Sequence, residues 1–136
     1  MRRLLYLLVL VGLCGCSDTI KDKERCFYAI FREAPKPVIT VHQGKLWENR
    51  HLFVFYEFYA IAEFDASEAD LMSLMKNANE EFEPFDATNY GFDLKPDEHW
   101  FAPRDGSKYL GWRSKEGMYV IRSSKTKRVY AMRVEL

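Results

Sequence analysis

Residues 50–64 read RHLFVFYEFYAIAEF and form the longest apolar run of the chain beyond its N-terminal segment. Every even-numbered position from 52 to 64 is apolar or aromatic, whereas the odd-numbered positions include Glu57 and Glu63. Successive side chains of a strand point to opposite faces of a sheet, so this pattern gives one apolar and one mixed face. We therefore predict a long central strand here, with a helix as the competing interpretation.

A helix is predicted directly after this run. Ser67-Glu68-Ala69-Asp70 resembles a capping box, with Asp in place of the usual Glu or Gln at the third helical position. Apolar residues then recur at helical spacing as far as Phe82. We expect a helix over residues 68–82 that packs on the sheet.

The chain before the run is divided by Pro35 and Pro37. Residues 26–33 are too few for periodicity to separate a short strand from a helical turn, so both remain open. Residues 38–42, four of which are β-branched, predict a strand. Gln43-Gly44-Lys45 then predicts a turn.

The C-terminal part alternates short apolar segments with turn signals. Strands are predicted over residues 108–113, 118–123 and 128–135, joined by turns at 114–117 and 124–127. The fold class is therefore α+β, with one helix packed on an antiparallel sheet that ends in a three-stranded C-terminal meander.

The N-terminal segment has the layout of a secretory signal peptide. Arg2 and Arg3 precede the apolar residues 4–13, and small residues follow. Ten residues in a helix rise about 15 Å, roughly half the thickness of a bilayer core, so a spanning helix is not expected. An ordinary signal peptide or a buried helix is the alternative.

The end of this segment, Leu13-Cys14-Gly15-Cys16, resembles the lipobox of bacterial lipoproteins. The resemblance covers residues 1–16 and departs from the usual pattern at Cys14, where Ala or Ser is commoner. It implies that Cys16 is the lipidated N-terminus of the mature chain. Ser17 follows Cys16, and the inner-membrane retention signal is an Asp at that position, so an outer-membrane protein facing the periplasm is favoured over an inner-membrane one.

These features divide the chain into a signal peptide over residues 1–15, a lipidated N-terminus with a flexible tether over 16–25, and a single domain over 26–136. Removal of residues 1–15 leaves 121 residues, enough for one core. Of the three cysteines only Cys26 then remains as a free thiol, so no internal disulfide is expected. We expect Cys26 to be buried, with pairing between chains as the alternative.

Charge is distributed unevenly along the chain. The mature chain has lost Arg2 and Arg3 and carries 18 basic and 20 acidic residues, which argues against a nucleic-acid binder. Residues 104–136 hold nine basic and three acidic residues, whereas 16–103 hold nine basic and 17 acidic ones. Such an asymmetry either marks a binding face or cancels when the two parts fold together.

Residues 83–105 predict a long loop, and loops of this length in compact domains are usually functional or mobile. Trp100 and Phe101 are expected to pin it to the body of the domain. The two predicted turns of the meander are basic. A binding surface is predicted from these features, comprising Trp100, Phe101, Lys115, Lys125, Lys127 and Arg128.

No motif declares a catalytic or metal site. Asp97-Glu98-His99 groups three possible ligands, but adjacent residues do not converge on one ion in regular structure, and we expect neither metal nor cofactor. Glu57 would need a partner if buried, such as Arg113 or Arg122. A structural ion pair is favoured over a catalytic acid at that position.

The sequence therefore favours a non-catalytic lipoprotein that is held in the membrane through Cys16 and binds a protein or another envelope component. An inhibitor or immunity-like role, or an accessory role, fits its size and location. Two alternatives remain open: a hydrolase of cell wall or lipid that uses carboxylates such as Glu57, and a structural subunit of a membrane complex.

Overall fold

The computed structural model describes residues 16–51, 55–87, 98–101 and 108–135. This part of the chain forms one seven-stranded sheet in the order β1-β2-β3-β7-β6-β5-β4, in which every neighbouring pair is antiparallel. The α+β class and the three-stranded C-terminal meander are confirmed. The elements are β1 (Cys16–Ile20), α1 (Lys23–Phe31), β2 (Thr40–His51), β3 (Phe55–Asp65), α2 (Glu68–Asn77), β4 (Phe82–Asp86), β5 (Tyr109–Ser114), β6 (Met118–Ser123) and β7 (Arg128–Glu135).

The apolar run 50–64 is a hairpin and not the single strand that we predicted. His51 ends β2 and pairs with Phe55, the first residue of β3. The three residues between them, 52–54, are Leu, Phe and Val and lie outside the described residues. The run contains no Gly, Pro, Asn or Asp to mark the reversal, which is why the sequence pattern missed it.

The turn predicted at Gln43-Gly44-Lys45 is also wrong, because all three residues lie within β2. Gly44 is needed there for a different reason. A Cβ atom on Gly44 would lie 2.5 Å from the Cβ atom of Cys26, so glycine allows α1 to pack closely on the strand.

The predicted flexible tether over residues 16–25 is instead ordered structure. Cys16–Ile20 pairs with β2 along its whole length, and Asp22 caps α1 by accepting a hydrogen bond from the Arg25 backbone N–H at 2.8 Å. Pairing with the edge of β2 supplies backbone hydrogen bonds that the polar composition does not reveal. Residues 26–33 belong largely to α1, which settles their open assignment as helix. The signal peptide predicted over 1–15 lies outside the described residues.

The helix after Ser67 begins as predicted but ends early. Ser67 Oγ accepts a hydrogen bond from the Asp70 backbone N–H at 3.1 Å. The helix ends at Asn77, shortly before Asn79 adopts a left-handed φ of 57°, a conformation that Asn tolerates better than most residues. Phe82, predicted in the helix, begins β4 instead.

The two faces of the sheet differ. We call the side covered by α1 and α2 the helix face; it receives the even-numbered residues of β3 and forms an apolar core around the rings of Phe27, Phe31 and Phe64. Cys26 is fully buried in this core, as predicted, and burial raises the pKa of its thiol to about 12. The opposite side, the second face, receives the odd-numbered residues of β3 and is partly covered by residues 98–101.

Candidate functional site

An ionic cluster lies at one end of the second face. Arg128 Nε donates to Asp65 Oδ1 at 2.8 Å, and Arg128 Nη1 donates to Glu63 Oε1. His42 Nε2 lies 2.8 Å from Asp65 Oδ2, and Gln43 Nε2 donates to Glu63 Oε2 at 3.5 Å. We call these five residues the Arg128 cluster.

Strand register assembles this cluster. Asp65 of β3 lies opposite Arg128 of β7, and Glu63 lies opposite Gln43 of β2. The β2–β3 register shifts between Val41 and Gln43, and this irregularity allows the ring of the extra residue, His42, to reach Asp65. Three neighbouring strands therefore contribute these five polar side chains to one point of the sheet.

The cluster favours the ionised forms of Asp65 and Arg128. Partial burial raises the pKa of Asp65, but the hydrogen bond with His42 and the charge of Arg128 outweigh it and hold that pKa below its usual value. Burial likewise lowers the pKa of Arg128, and the hydrogen bonds and charges of Glu63 and Asp65 more than compensate, so that pKa is raised. General acid–base catalysis requires a group whose pKa is close to the working pH. Because the pKa values of Asp65 and Arg128 are shifted further from neutrality, both are poor proton donors or acceptors near neutral pH.

Two cavities adjoin the cluster. One of ≈ 390 Å³ is lined by Glu63, Asp65 and Arg128 together with Tyr109, Thr126, Lys127 and Tyr130. The other, of ≈ 320 Å³, lies beyond His42 and Gln43 and is lined also by Lys21, Lys23, Gly44, Lys45 and Trp100. The first cavity thus combines tyrosines and a threonine with charges of both signs.

Residues 98–101 are pinned to the second face, as we predicted for Trp100 and Phe101. Phe101 is fully buried and packs edge-on against Tyr130, with ring centroids 5.6 Å apart, and Trp100 packs on Phe101. Glu98 Oε1 accepts from Lys45 Nζ at 2.8 Å. Full burial removes Phe101 from the predicted binding surface, whereas half-buried Trp100 lines the second cavity.

The predicted basic surface is divided between two ends of the sheet. Lys125, Lys127 and Arg128 lie on or beside the β6–β7 turn, and the two lysines are exposed. Lys115 is exposed in the β5–β6 turn, at the opposite end of β6, because consecutive antiparallel hairpins reverse at alternate ends. Arg128 is occupied by Glu63 and Asp65. Lys115 therefore lies apart from the other three basic residues of the predicted binding surface.

The other candidates are structural. Glu57 is half-buried and accepts a hydrogen bond from Asn49 Nδ2 at 3.4 Å. The predicted partners Arg113 and Arg122 lie on β5 and β6, which β7 separates from β3, so that expectation is wrong. Within the described ranges no three His, Cys, Asp or Glu residues are grouped to hold a metal ion; Asp97 lies outside those ranges.

The Arg128 cluster was not predicted from the sequence. The uneven charge distribution was the one feature of the sequence that indicated ion pairs between the C-terminal part and the rest of the chain. Arg128 pairs with Glu63 and Asp65, and Arg133 pairs with Glu80. In each case a basic residue of the meander neutralises acidic residues from earlier in the chain. The asymmetry therefore cancels in part on folding, as one of the two interpretations held.

Comparisons with protein-family models, with curated proteins and with solved structures found no match. Among the helices in the described ranges, none has both the length and the apolar character needed to cross a membrane.

Proposed function

We propose that this chain is a non-catalytic bacterial lipoprotein, held through Cys16 in the outer membrane and facing the periplasm, that binds an acidic protein partner. The anchor rests on the lipobox-like sequence Leu13-Cys14-Gly15-Cys16. The binding role rests on one observation: the Arg128 cluster satisfies its own charges beside an open cavity, while exposed lysines extend from its edge.

The arrangement favours binding over catalysis. Glu63 and Asp65 are both engaged by Arg128, and Glu57 is engaged by Asn49. The His42 ring is bonded to Asp65, and within the described ranges no hydroxyl or thiol forms a hydrogen bond with it, so none of those residues is a nucleophile placed for the histidine to activate. A hydrolase would need at least one such group free to exchange a proton with its substrate.

Lys125 and Lys127 indicate the chemistry of the partner. Both are exposed at the β6–β7 turn, and Lys127 also lines the larger cavity. Exposed lysines at the rim of an interface mainly accelerate association with a surface of opposite charge. An acidic surface of another envelope protein is therefore the partner that this edge of the molecule suits.

Charge reversal tests the proposal. Lys125→Glu with Lys127→Glu should weaken capture of a crosslinked partner from the native envelope by about tenfold, equivalent to roughly 1.4 kcal/mol. Lys115→Glu is the control, since it reverses the charge of another exposed turn lysine, at the other end of β6, and capture should be unchanged. Equal capture by all three forms would refute the basic edge as the binding surface.

The anchor is tested separately. Cys16→Ser should release the chain from the membrane fraction, and mass spectrometry of the wild-type N-terminal peptide should show an acylated Cys16. An unmodified wild-type peptide, or a serine variant that stays with the membrane, would refute the lipoprotein assignment whatever the capture experiment shows.

A further inference from the structure

The sheet begins at the proposed lipidation position, with no spacer between them. Cys16 is the first residue of β1 and pairs with Arg50 of β2. A flexible tether of ten residues would let a domain move about 18 Å from its anchor. Here the chain is part of the sheet from Cys16 onward, so a lipid on that residue would hold the domain itself and not a loose segment.

The strand register defines which end of the sheet Cys16 occupies. Arg50, its partner, pairs with Tyr56 near the start of β3, and Phe58 pairs with Glu135 at the end of β7. The β5–β6 turn, which carries Lys115, lies at this same end. We call it the proximal end. β2 also ends and β3 also begins there, where His51 pairs with Phe55.

The Arg128 cluster occupies the other end of the same strands. Asp65 is the last residue of β3 and lies opposite Arg128, where β7 begins. Nine residues separate Tyr56 from Asp65, and nine residues of antiparallel strand extend roughly 30 Å. The β6–β7 turn with Lys125 lies at this distal end.

We infer that the proximal end of the sheet rests directly on the lipid headgroups, and that the Arg128 cluster and the β6–β7 turn project into the aqueous space about 30 Å further along the strands. The inference rests on the lipidation of Cys16 in the proposed function. It adds an orientation, because the partner then approaches the basic edge from the aqueous side and not along the membrane surface.

Fluorescent labels at three exposed lysines test this orientation. Lys115→Cys marks the proximal end, Lys125→Cys marks the distal end, and Lys23→Cys marks the chain just beyond the far end of β1. Cys26 does not compete for the label, because it is fully buried and its thiol pKa is raised to about 12. The thiol of Cys16 is consumed by the lipid.

The full lipidated chain is reconstituted in vesicles of phosphatidylethanolamine and phosphatidylglycerol that contain a lipid with a quencher on its headgroup. The Lys115 label should lose most of its emission, and the Lys125 and Lys23 labels should retain theirs. A Gly/Ser linker inserted between Cys16 and Ser17 should restore emission at the Lys115 position, since the domain then moves away from the headgroups.

Other results overturn the inference in distinguishable ways. Strong quenching at the Lys23 and Lys125 positions as well would mean that the domain lies with its strands along the membrane. Strong quenching at the Lys23 position alone would mean that it lies on its β1 edge, since β1 and the β5–β6 hairpin are far apart in the strand order. Weak quenching at all three positions would mean that the domain stands clear of the membrane. Each of these results leaves the lipoprotein assignment intact as long as the vesicle-bound chain carries the acyl mass on Cys16, whereas loss of that mass refutes the proposed anchor itself.

Discussion

The two faces of β3 carry different side chains. On the helix face, Ala60, Ala62 and Phe64 are fully buried among apolar residues. On the second face, buried Ile61 is followed by Glu63 and Asp65, which both bind Arg128. Both faces exclude water over much of their area. The helix face does so around apolar groups apart from the Arg133–Glu80 ion pair, whereas the second face does so around several charged groups. The comparison shows that one strand can serve as core on one side and as site on the other, since side chains alternate between its faces.

Buried charge on the second face is tolerated because each group has a partner. Lys45 and Glu98 form an ion pair with side chains 8% and 2% exposed, and Tyr59 donates a further hydrogen bond to Glu98 at 3.1 Å. Unpaired, either charge would cost several kcal/mol to remove from water. Stability on the helix face therefore depends mainly on packed volume, and on the second face it depends more on charge pairing.

The largest effect is expected from a change of volume on the helix face. Phe64→Ala removes a ring that packs edge-on against two others, with its centroid 5.1 Å from that of Phe27 and 5.6 Å from that of Phe31. The free energy of unfolding, measured by urea denaturation, should fall by about 4 kcal/mol through lost burial and the cavity left behind. Tyr28→Ala, which truncates an aromatic residue that is 54% exposed on α1, is the control and should cost well under half as much. Equal losses would contradict the assignment of this face as the core.

A change of pairing on the second face should have the next largest effect. Lys45→Met keeps the volume of the side chain but leaves the Glu98 carboxylate buried without its cation. The free energy of unfolding should fall by about 3 kcal/mol. The double variant Lys45→Met with Glu98→Leu removes both charges and should recover most of that loss. If the double variant is no more stable than the single one, packing and not charge pairing governs this face.

The sequence predicted well those elements that neighbouring residues specify. The meander over residues 108–135 has turn signals between its short strands, and the boundaries of β5, β6 and β7 match the prediction to within one residue. The start of α2 is likewise encoded locally, in the hydrogen bond between Ser67 and the Asp70 backbone. Such features depend on contacts within a few positions of the chain.

Elements that depend on distant contacts escaped prediction. From the sequence alone, a glycine at position 44 is compatible with a turn or with a close approach between two elements. Only the contact with Cys26 of α1, which is distant in the chain, shows that the second is correct. The strand β1 forms because the edge of β2 is there to receive it, which its polar sequence does not reveal. In the Arg128 cluster, Arg128 binds Asp65 and Glu63, which precede it in the chain by 63 and 65 positions. No local sequence pattern could place these residues together.

The smallest change in the free energy of unfolding is expected from a substitution of Asp65, and this substitution also distinguishes most clearly how the two faces are stabilised. Asp65→Asn keeps the shape of the side chain but removes the charge that Arg128 and His42 hold. The carboxylate is about one-third exposed, and partly exposed ion pairs contribute little, so the free energy of unfolding should fall by about 1 kcal/mol near neutral pH. Glu57→Gln, on the same strand with an amide as partner, is the matched control and should change it by less than about 0.5 kcal/mol.

The pH dependence of that loss identifies its cause. Because the pKa of Asp65 is lower in the folded chain than the ordinary value of 3.8, its charge stabilises the fold fully above that value, and the contribution disappears as the pH falls through the folded pKa. The difference between wild type and Asp65→Asn should therefore shrink toward zero in acid, while the loss caused by Phe64→Ala persists. A difference that stayed constant in acid would mean that Asp65 acts by packing, and the two faces would then be stabilised by the same physics.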